Sequence, residues 1–273
     1  KKLRKPTLVS LGCNMSLMSV ETKNNITTVT LKRAEIHNAF NDELISELTK
    51  SFEEIAKSDA RLVILTGEGK SFCAGADLNW MSSMVDYSME ENKADSLKLA
   101  TLFQTINDCP IPVIGKVNGH ALGGGVGLVS VCDYVHTHEK AKFGFTEVKL
   151  GLVPAVISPY CIAKIGVSNA RAWFLSGDLF PANTAKEMGL VHKVSSLESF
   201  EAEFEETLNK FLLAGPKAAR SAKSLIKNVL EKNKSELMDY TCSEIAKIRI
   251  SEEGQDGMKA LLNKTKASWV SEE

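Results

Sequence analysis

Two glycine-rich segments stand out, each directly after an apolar run. Ser71–Leu78 reads SFCAGADL, and Val117–Leu128 reads VNGHALGGGVGL. Small residues let a ligand approach the backbone closely, and a helix that begins in such a segment adds a dipole that favours negative charge. Just before the first segment, Gly67–Ser71 fails to complete a phosphate-loop pattern, because Ile64 stands where the Walker glycine is required. Two interpretations of these segments remain open: the glycines allow close helix–strand packing, or the two segments supply backbone N–H groups that stabilise an oxyanion.

Composition excludes several other classes. The 273 residues are 44% apolar and 25% charged, as in ordinary globular proteins, and 33 Lys and Arg against 34 Asp and Glu give a net charge of −1. A nucleic-acid binder would usually show a basic excess, so no nucleic-acid partner is expected. No apolar run reaches the roughly 18 residues of a membrane span, so no membrane partner is expected either.

The cysteines and histidines give no metal signature. No two of the six cysteines have C-x-x-C spacing, and the five histidines are dispersed. His136 and His138 share one side of a predicted strand, and two such residues without a third ligand are expected on a solvated face. We therefore expect no metal, a reducing compartment and a cytoplasmic location.

Hydrophobic periodicity predicts an α/β protein. A hairpin is expected from two segments rich in strand formers, a helix from the apolar spacing that begins at Asn41, and buried strands from short apolar runs. Alternation of strands and helices favours parallel pairing. The predicted strands are 17–22, 26–32, 61–66, 111–117 and 133–138; the predicted helices include 90–108 and 124–132.

Beyond about residue 195 the pattern becomes almost wholly helical, with helices expected at 198–213, 217–232, 235–250 and 255–264. We expect residues 1–16 to be a loose extension, 17–197 an α/β core and 198–273 a helical C-terminal region.

Three ordered blocks resemble the crotonase, or enoyl-CoA hydratase/isomerase, superfamily. They are Lys70–Asp77, Asn118–Gly125 and Phe143–Pro154, and the likeness extends from about residue 18 to 266. The resemblance implies a spiral of ββα units with a helical C-terminal region. It also implies a homotrimer, or a hexamer formed as a dimer of trimers.

The resemblance implies acyl-CoA chemistry through an enolate-like anion. Matching positions give the oxyanion hole to the backbone N–H groups of Ala76 and Gly124, and the general acid/base role to Glu147. Lys70 matches a contact to the CoA phosphates, and Lys264 one to the nucleotide of a neighbouring subunit. The residues expected along the adenine and pantetheine path are Cys73, Ala74, Ala76 and Leu78. No cofactor is expected, because coenzyme A is part of the substrate.

The sequence departs from the two-carboxylate hydratases at Gly127, where those enzymes carry a second glutamate. Residues 125–128 and 147–160 instead resemble bacterial 3-methylglutaconyl-CoA hydratases of leucine breakdown, and sister enzymes that act on other branched, carboxylated enoyl-CoAs. The expected reaction is hydration of 3-methylglutaconyl-CoA to 3-hydroxy-3-methylglutaryl-CoA. We expect the volume freed at Gly127 to hold a substituent of the acyl group.

Two alternatives remain. A Δ3,Δ2-enoyl-CoA isomerase would need only the single carboxylate of Glu147. A non-catalytic or RNA-binding relative is the other, and the net charge of −1 argues against it.

Overall fold

The computed structural model describes residues 16–270, so nearly all of the predicted N-terminal extension lies outside the described residues. Ten strands and ten α-helices follow one another in these residues. The strands are β1 (Met18–Lys23), β2 (Ile26–Leu31), β3 (Leu62–Gly67), β4 (Ser71–Cys73), β5 (Val113–Val117), β6 (His120–Leu122), β7 (Tyr134–His138), β8 (Lys142–Gly144), β9 (Leu179–Pro181) and β10 (Lys193–Ser195). The helices are α1 (Asp42–Ile55), α2 (Leu78–Ser83), α3 (Met89–Asn107), α4 (Gly124–Val131), α5 (Ser158–Ser176), α6 (Ala182–Glu187), α7 (Phe200–Leu212), α8 (Pro216–Glu231), α9 (Leu237–Ile250) and α10 (Glu252–Asn263).

The larger sheet has the strand order β1-β2-β3-β5-β7-β10. Only β1 and β2 pair antiparallel, through a turn in which Asn24 and Asn25 adopt positive φ angles of 50° and 60°. Asparagine tolerates this backbone region better than most residues, which is why the predicted hairpin forms here. The other pairs are parallel, as the alternation of strands and helices predicted.

A second sheet of short strands has the order β4-β6-β8-β9. Its members β4, β6 and β8 are parallel to one another, and each follows a strand of the larger sheet after only two or three residues. The chain therefore passes three times from the large sheet to the small one and then turns away. Since the carboxyl ends of parallel strands meet at one sheet edge, the three segments after β4, β6 and β8 emerge side by side.

Helices cover both faces of the larger sheet. Leu44, Leu48 and Phe52 of α1 are fully buried in the main core, and Asn41 caps this helix by accepting the Leu44 N–H at 2.9 Å. On the opposite face, Phe204 and Leu208 of α7 pack against buried residues of β3 and β5. Burial on both faces explains the continuous apolar character of β3. Within residues 16–270, no helix combines the length and the apolar character that a membrane span needs.

One prediction about the sheet is wrong. His136 and His138 of β7 are not solvated: they are 0% and 6% exposed. Nε2 of His136 lies 2.7 Å from the Ser195 hydroxyl, and Nε2 of His138 lies 3.1 Å from the Asn118 carbonyl. Helix α7 covers this face with Phe200, whose ring contacts both imidazoles, and burial therefore replaces solvent around them.

Candidate active site

The three segments that leave the small sheet carry the three predicted catalytic positions. Ala76 follows β4, Gly124 follows β6 and Glu147 follows β8. Contact between the first two segments is direct, because a Cβ atom built on Gly75 would lie 3.0 Å from the Leu122 carbonyl oxygen and 3.7 Å from the Gly124 nitrogen. Parallel pairing of β4, β6 and β8 thus brings residues from distant parts of the sequence to one site.

The backbone around Ala76 is held in a conformation that leaves the Ala76 N–H without a hydrogen-bond acceptor. The Phe40 N–H donates to the Gly75 carbonyl at 2.7 Å, and the Asp77 N–H donates to the Phe40 carbonyl at 2.8 Å. These bonds form a parallel bridge between Phe40 and Ala76 that leaves the Ala76 N–H without an acceptor among the described residues. Gly75 has a φ of +90°, a conformation in which a side chain would be strained. Ala76 itself is exposed, so its N–H is available to a ligand.

The second donor belongs to the first residue of α4. The Gly124 N–H is one of the amide groups that have no acceptor within a helix, and it has none elsewhere in the described chain. The preceding residue, Gly123, has a φ of +51° and donates its own N–H to the Gly144 carbonyl at 2.9 Å. Two backbone donors and the N-terminal end of a helix therefore converge at one place, an arrangement that suits an oxyanion.

Glu147 lies beside this second donor. Its Oε1 would be 3.3 Å from a Cβ atom on Gly123, and its half-buried side chain leaves Oε2 buried without a hydrogen-bond partner. Burial raises the pKa of the Glu147 carboxyl above its ordinary value, and only a backbone N–H opposes this shift. A raised pKa makes the carboxyl group hold a proton more readily, which suits a group that must both accept and return a proton in general acid–base catalysis.

The predicted open volume at Gly127 is absent. A Cβ atom on Gly127 would overlap Cγ2 of Ile157 and would lie 2.7 Å from Cζ of Phe103. Both side chains are buried, with exposed fractions of 3% and 0%. The space that a side chain at Gly127 would take is thus filled by two apolar residues, and no substituent of a substrate fits there. The sequence shows the missing side chain, but not the neighbours that replace it.

The residues expected along the CoA path differ in accessibility. Ala74 is half-buried, and Leu78 is 81% exposed, so both can contact a ligand. Cys73 cannot contact a ligand, because it is fully buried and packs against Gly125. The contact is so close that a Cβ atom on Gly125 would overlap the Cys73 carbonyl. Burial raises the pKa of the Cys73 thiol to about 12. The prediction that Cys73 lines the path is therefore wrong, and the residue supports the turn from inside.

The two predicted CoA-binding lysines are both exposed. Lys70 directly precedes β4 and so lies at the opposite end of that strand from Ala76. Lys264 ends α10, with a positive φ of 56°. Neither lysine makes an ion pair within the described residues, so each ammonium group is free to meet a phosphate.

Sequence reasoning missed the residue that holds the first segment. Arg33 is 9% exposed; it donates to an oxygen of Asp77 at 2.7 Å and to the Ala39 carbonyl at 2.5 Å. Although burial alone would raise the pKa of Asp77, the Asn79 N–H and Arg33 outweigh it and hold that pKa below its usual value. Asn38 adds bonds to the carbonyls of Glu68 and Ser71. Because Arg33 lies 44 positions before Asp77, no local sequence pattern indicates that the two residues pair.

The fold and the site define a centre in which two backbone N–H donors and one carboxyl group meet on an α/β scaffold. The sequence model of the enoyl-CoA hydratase/isomerase family matches residues 21–272. The chain therefore belongs to this family.

Individual relatives agree with that assignment. An enoyl-CoA hydratase of Alternaria alternata is 35% identical over 239 residues, which are 84% of this chain and 78% of that protein. A crotonyl-CoA hydratase of Syntrophomonas wolfei is 29% identical over 255 residues, 92% of this chain and 97% of that protein. The crystal structure of an enoyl-CoA hydratase from Shewanella pealeana is similar with a TM-score of 0.88 and 33% identity, and the match covers 94% of this chain and 97% of that one.

Proposed function

We propose that this protein catalyses the reversible addition of water to an enoyl-CoA thioester. The observation that carries the proposal is the meeting of three groups: the Ala76 and Gly124 N–H groups, which lack acceptors in the described chain, and the Glu147 carboxyl beside Gly123. The names of the relatives support hydration as the reaction. The test is turnover of crotonyl-CoA followed by the absorbance of the conjugated enoyl thioester.

Glu147 performs both proton transfers in this mechanism. As a carboxylate it removes a proton from water while the oxygen adds to the β-carbon, and the electron pair of the double bond moves to the thioester oxygen. The Ala76 and Gly124 N–H groups stabilise the resulting enolate, and such a donor can contribute about 3 kcal/mol. Glu147 then returns the proton to the α-carbon, which restores the thioester and the carboxylate.

For the acyl group we propose 3-methylglutaconyl-CoA, hydrated to 3-hydroxy-3-methylglutaryl-CoA in leucine breakdown. The support is the resemblance of residues 125–128 and 147–160 to the hydratases of that substrate. The volume at Gly127 gives no support, since Phe103 and Ile157 fill it. A ratio of kcat/KM for 3-methylglutaconyl-CoA over crotonyl-CoA above one is expected, and a ratio below one would contradict this choice.

A second candidate is the Δ3,Δ2-enoyl-CoA isomerase reaction. Glu147 is the one matched carboxylate, and moving a proton between carbons needs a single base. The two reactions change absorbance in opposite directions: hydration of a 2-enoyl-CoA removes the conjugated chromophore, whereas isomerisation of a 3-enoyl-CoA creates it. Loss of absorbance with 2-enoyl substrates and no gain with 3-enoyl substrates would establish the hydratase.

Lys70 and Lys264 are proposed as contacts to the phosphates of CoA. Lysine acts on a phosphate mainly as a point charge, so its loss should raise KM and leave kcat nearly unchanged. We expect the larger rise for Lys70→Ala, because Lys264 depends on a neighbouring subunit. Exposed Lys186 serves as the matched control, and a KM unaltered by Lys70→Ala would contradict this placement.

We also propose a homotrimer or a hexamer in the bacterial cytoplasm. Helices α8–α10 support the assembly, because they expose large apolar side chains that a partner would cover: Leu230, Ile250, Leu261 and Leu262 are each 79–82% exposed. The described cysteines are free thiols, which suits a reducing compartment. Light scattering after size exclusion measures the assembly, and a monomer at micromolar concentration would contradict it.

A further inference from the structure

One face of α4 carries both an oxyanion-hole donor and the position of the missing carboxylate. Gly124 and Gly127 are three residues apart, and residues at that spacing are neighbours on a helix surface. A side chain at position 127 would therefore start next to the Gly124 N–H. Whatever occupies that space determines which groups can act on the substrate beside Glu147.

Apolar side chains, most of them aromatic, pack against this face at both glycines. The Phe40 ring would be 3.0 Å from a Cβ on Gly124, and the Phe103 ring would be 2.7 Å from a Cβ on Gly127. The two rings contact each other edge to face, with centroids 6.2 Å apart, and Tyr160 flanks Phe103 at 6.3 Å. Ile157 closes the same space from the N-terminal end of α5.

We infer that Phe103 and Ile157 are the specificity-determining residues that restrict this site to one carboxylate. Their side chains occupy the volume that an acid on α4 would need, and they make the surroundings apolar, where an ionised group is strongly disfavoured. Gly127 is thus the consequence of this packing and not the cause of the substrate preference. The inference rests on the proposed hydratase function and adds to it the residues that set the number of acids.

The atoms that obstruct position 127 suggest the variants. Phe103→Leu removes Cζ and Cε1, and Ile157→Ala removes Cγ2, which together are the three atoms nearest to the built Cβ. Four proteins complete a cycle: wild type, Gly127→Glu, the opened variant Phe103→Leu/Ile157→Ala, and the opened variant with Gly127→Glu. The opened variant with Gly127→Gln is the matched control, because glutamine has the same size and no acid.

Two readouts test the inference. The thermal midpoint should fall strongly for Gly127→Glu in the wild-type background and much less in the opened background, since residues in contact are not additive. The kcat for crotonyl-CoA in the opened background should rise at least about 100-fold with Glu and not with Gln, because a second acid or base contributes that much.

The inference would be overturned if Gly127→Glu lowered the thermal midpoint equally in the wild-type and opened backgrounds. It would also be overturned if Glu and Gln at position 127 gave equal kcat values in the opened background. Failure of the proposed function is distinguishable from this result. A wild type that hydrates no enoyl-CoA would contradict the function, whereas the midpoints of the cycle would still measure whether Phe103 and Ile157 exclude a side chain at position 127.

Discussion

Replacing Glu147 by glutamine removes the proposed acid/base while keeping the shape of the side chain. The carboxyl has one oxygen beside Gly123 and one that is buried without a hydrogen-bond partner. The amide fits the same space, so the fold should remain intact. Because burial raises the pKa of Glu147, its ionised form is disfavoured in the folded protein, and the thermal midpoint of Glu147→Gln at neutral pH should equal or exceed that of the wild type.

The expected loss of activity follows from what remains in the site. General acid–base catalysis contributes about 10²–10⁴-fold, or roughly 3–5 kcal/mol at 1.36 kcal/mol per factor of ten. No acid stands at position 127 to replace Glu147, because Phe103 and Ile157 occupy that space. We therefore expect kcat to fall toward the upper end of this range. KM should change little, because the backbone donors and the CoA contacts are untouched.

The assay is steady-state hydration of enoyl-CoA by wild type, Glu147→Gln and a control, Glu139→Gln, at an exposed glutamate. Glu147 must be ionised to take a proton from water, and its raised pKa places the acid limb of kcat/KM above the ordinary glutamate value of 4.5. This limb should disappear in the variant. Hydration by Glu147→Gln within about tenfold of wild type would refute the mechanism.

Three further predictions concern the surroundings of the site. Gly124→Val should abolish turnover while the protein still folds, because the Cβ at this position would already lie 3.0 Å from the Phe40 ring. A folded variant with full activity would contradict the assignment of the Gly124 N–H to the oxyanion hole. Asp77→Ala leaves buried Arg33 without its partner, a change that costs about 3–5 kcal/mol, so both the thermal midpoint and kcat should fall; an unchanged midpoint would contradict the role of this ion pair. Asp95→Asn should stabilise the protein more at about pH 8 than at about pH 4. Burial and the nearby Asp42 raise the pKa of Asp95, so the folded state binds this proton more tightly than the unfolded state. The wild type therefore loses stability as the pH rises through that range, and the asparagine variant avoids this loss. Thermal midpoints measured across this range test the sign.

Long periodic elements were predictable from the sequence. Helix α1 was expected from the apolar spacing that begins at Asn41, and it is confirmed, with Asn41 as its N-cap. The hairpin, the buried strands and the C-terminal helices also occur near the predicted positions. Their signals are local, because amphipathic periodicity and capping depend on residues within a few positions of one another.

The short strands were not predictable in the same way. β4, β6 and β8 have three residues each, too few to display a period of two. They exist because they pair with one another across intervals of more than twenty residues. The same non-local character explains the error at Gly127, where Phe103 lies on a different helix, and the error at Cys73, whose burial depends on Gly125.

The parallel pairing of β4, β6 and β8 also has an evolutionary consequence. Two of the three segments that follow these strands supply main-chain N–H groups, which no change of side chain removes while the turns keep their conformation. The third segment supplies the carboxyl group of Glu147. In the proposed mechanism, enolate stabilisation is therefore inherited with the scaffold, whereas a single substitution can remove the proton-transfer group. Descendants of such a chain could change reaction type by altering the residue after β8 or the wall opposite it, while the thioester would still bind in the same orientation.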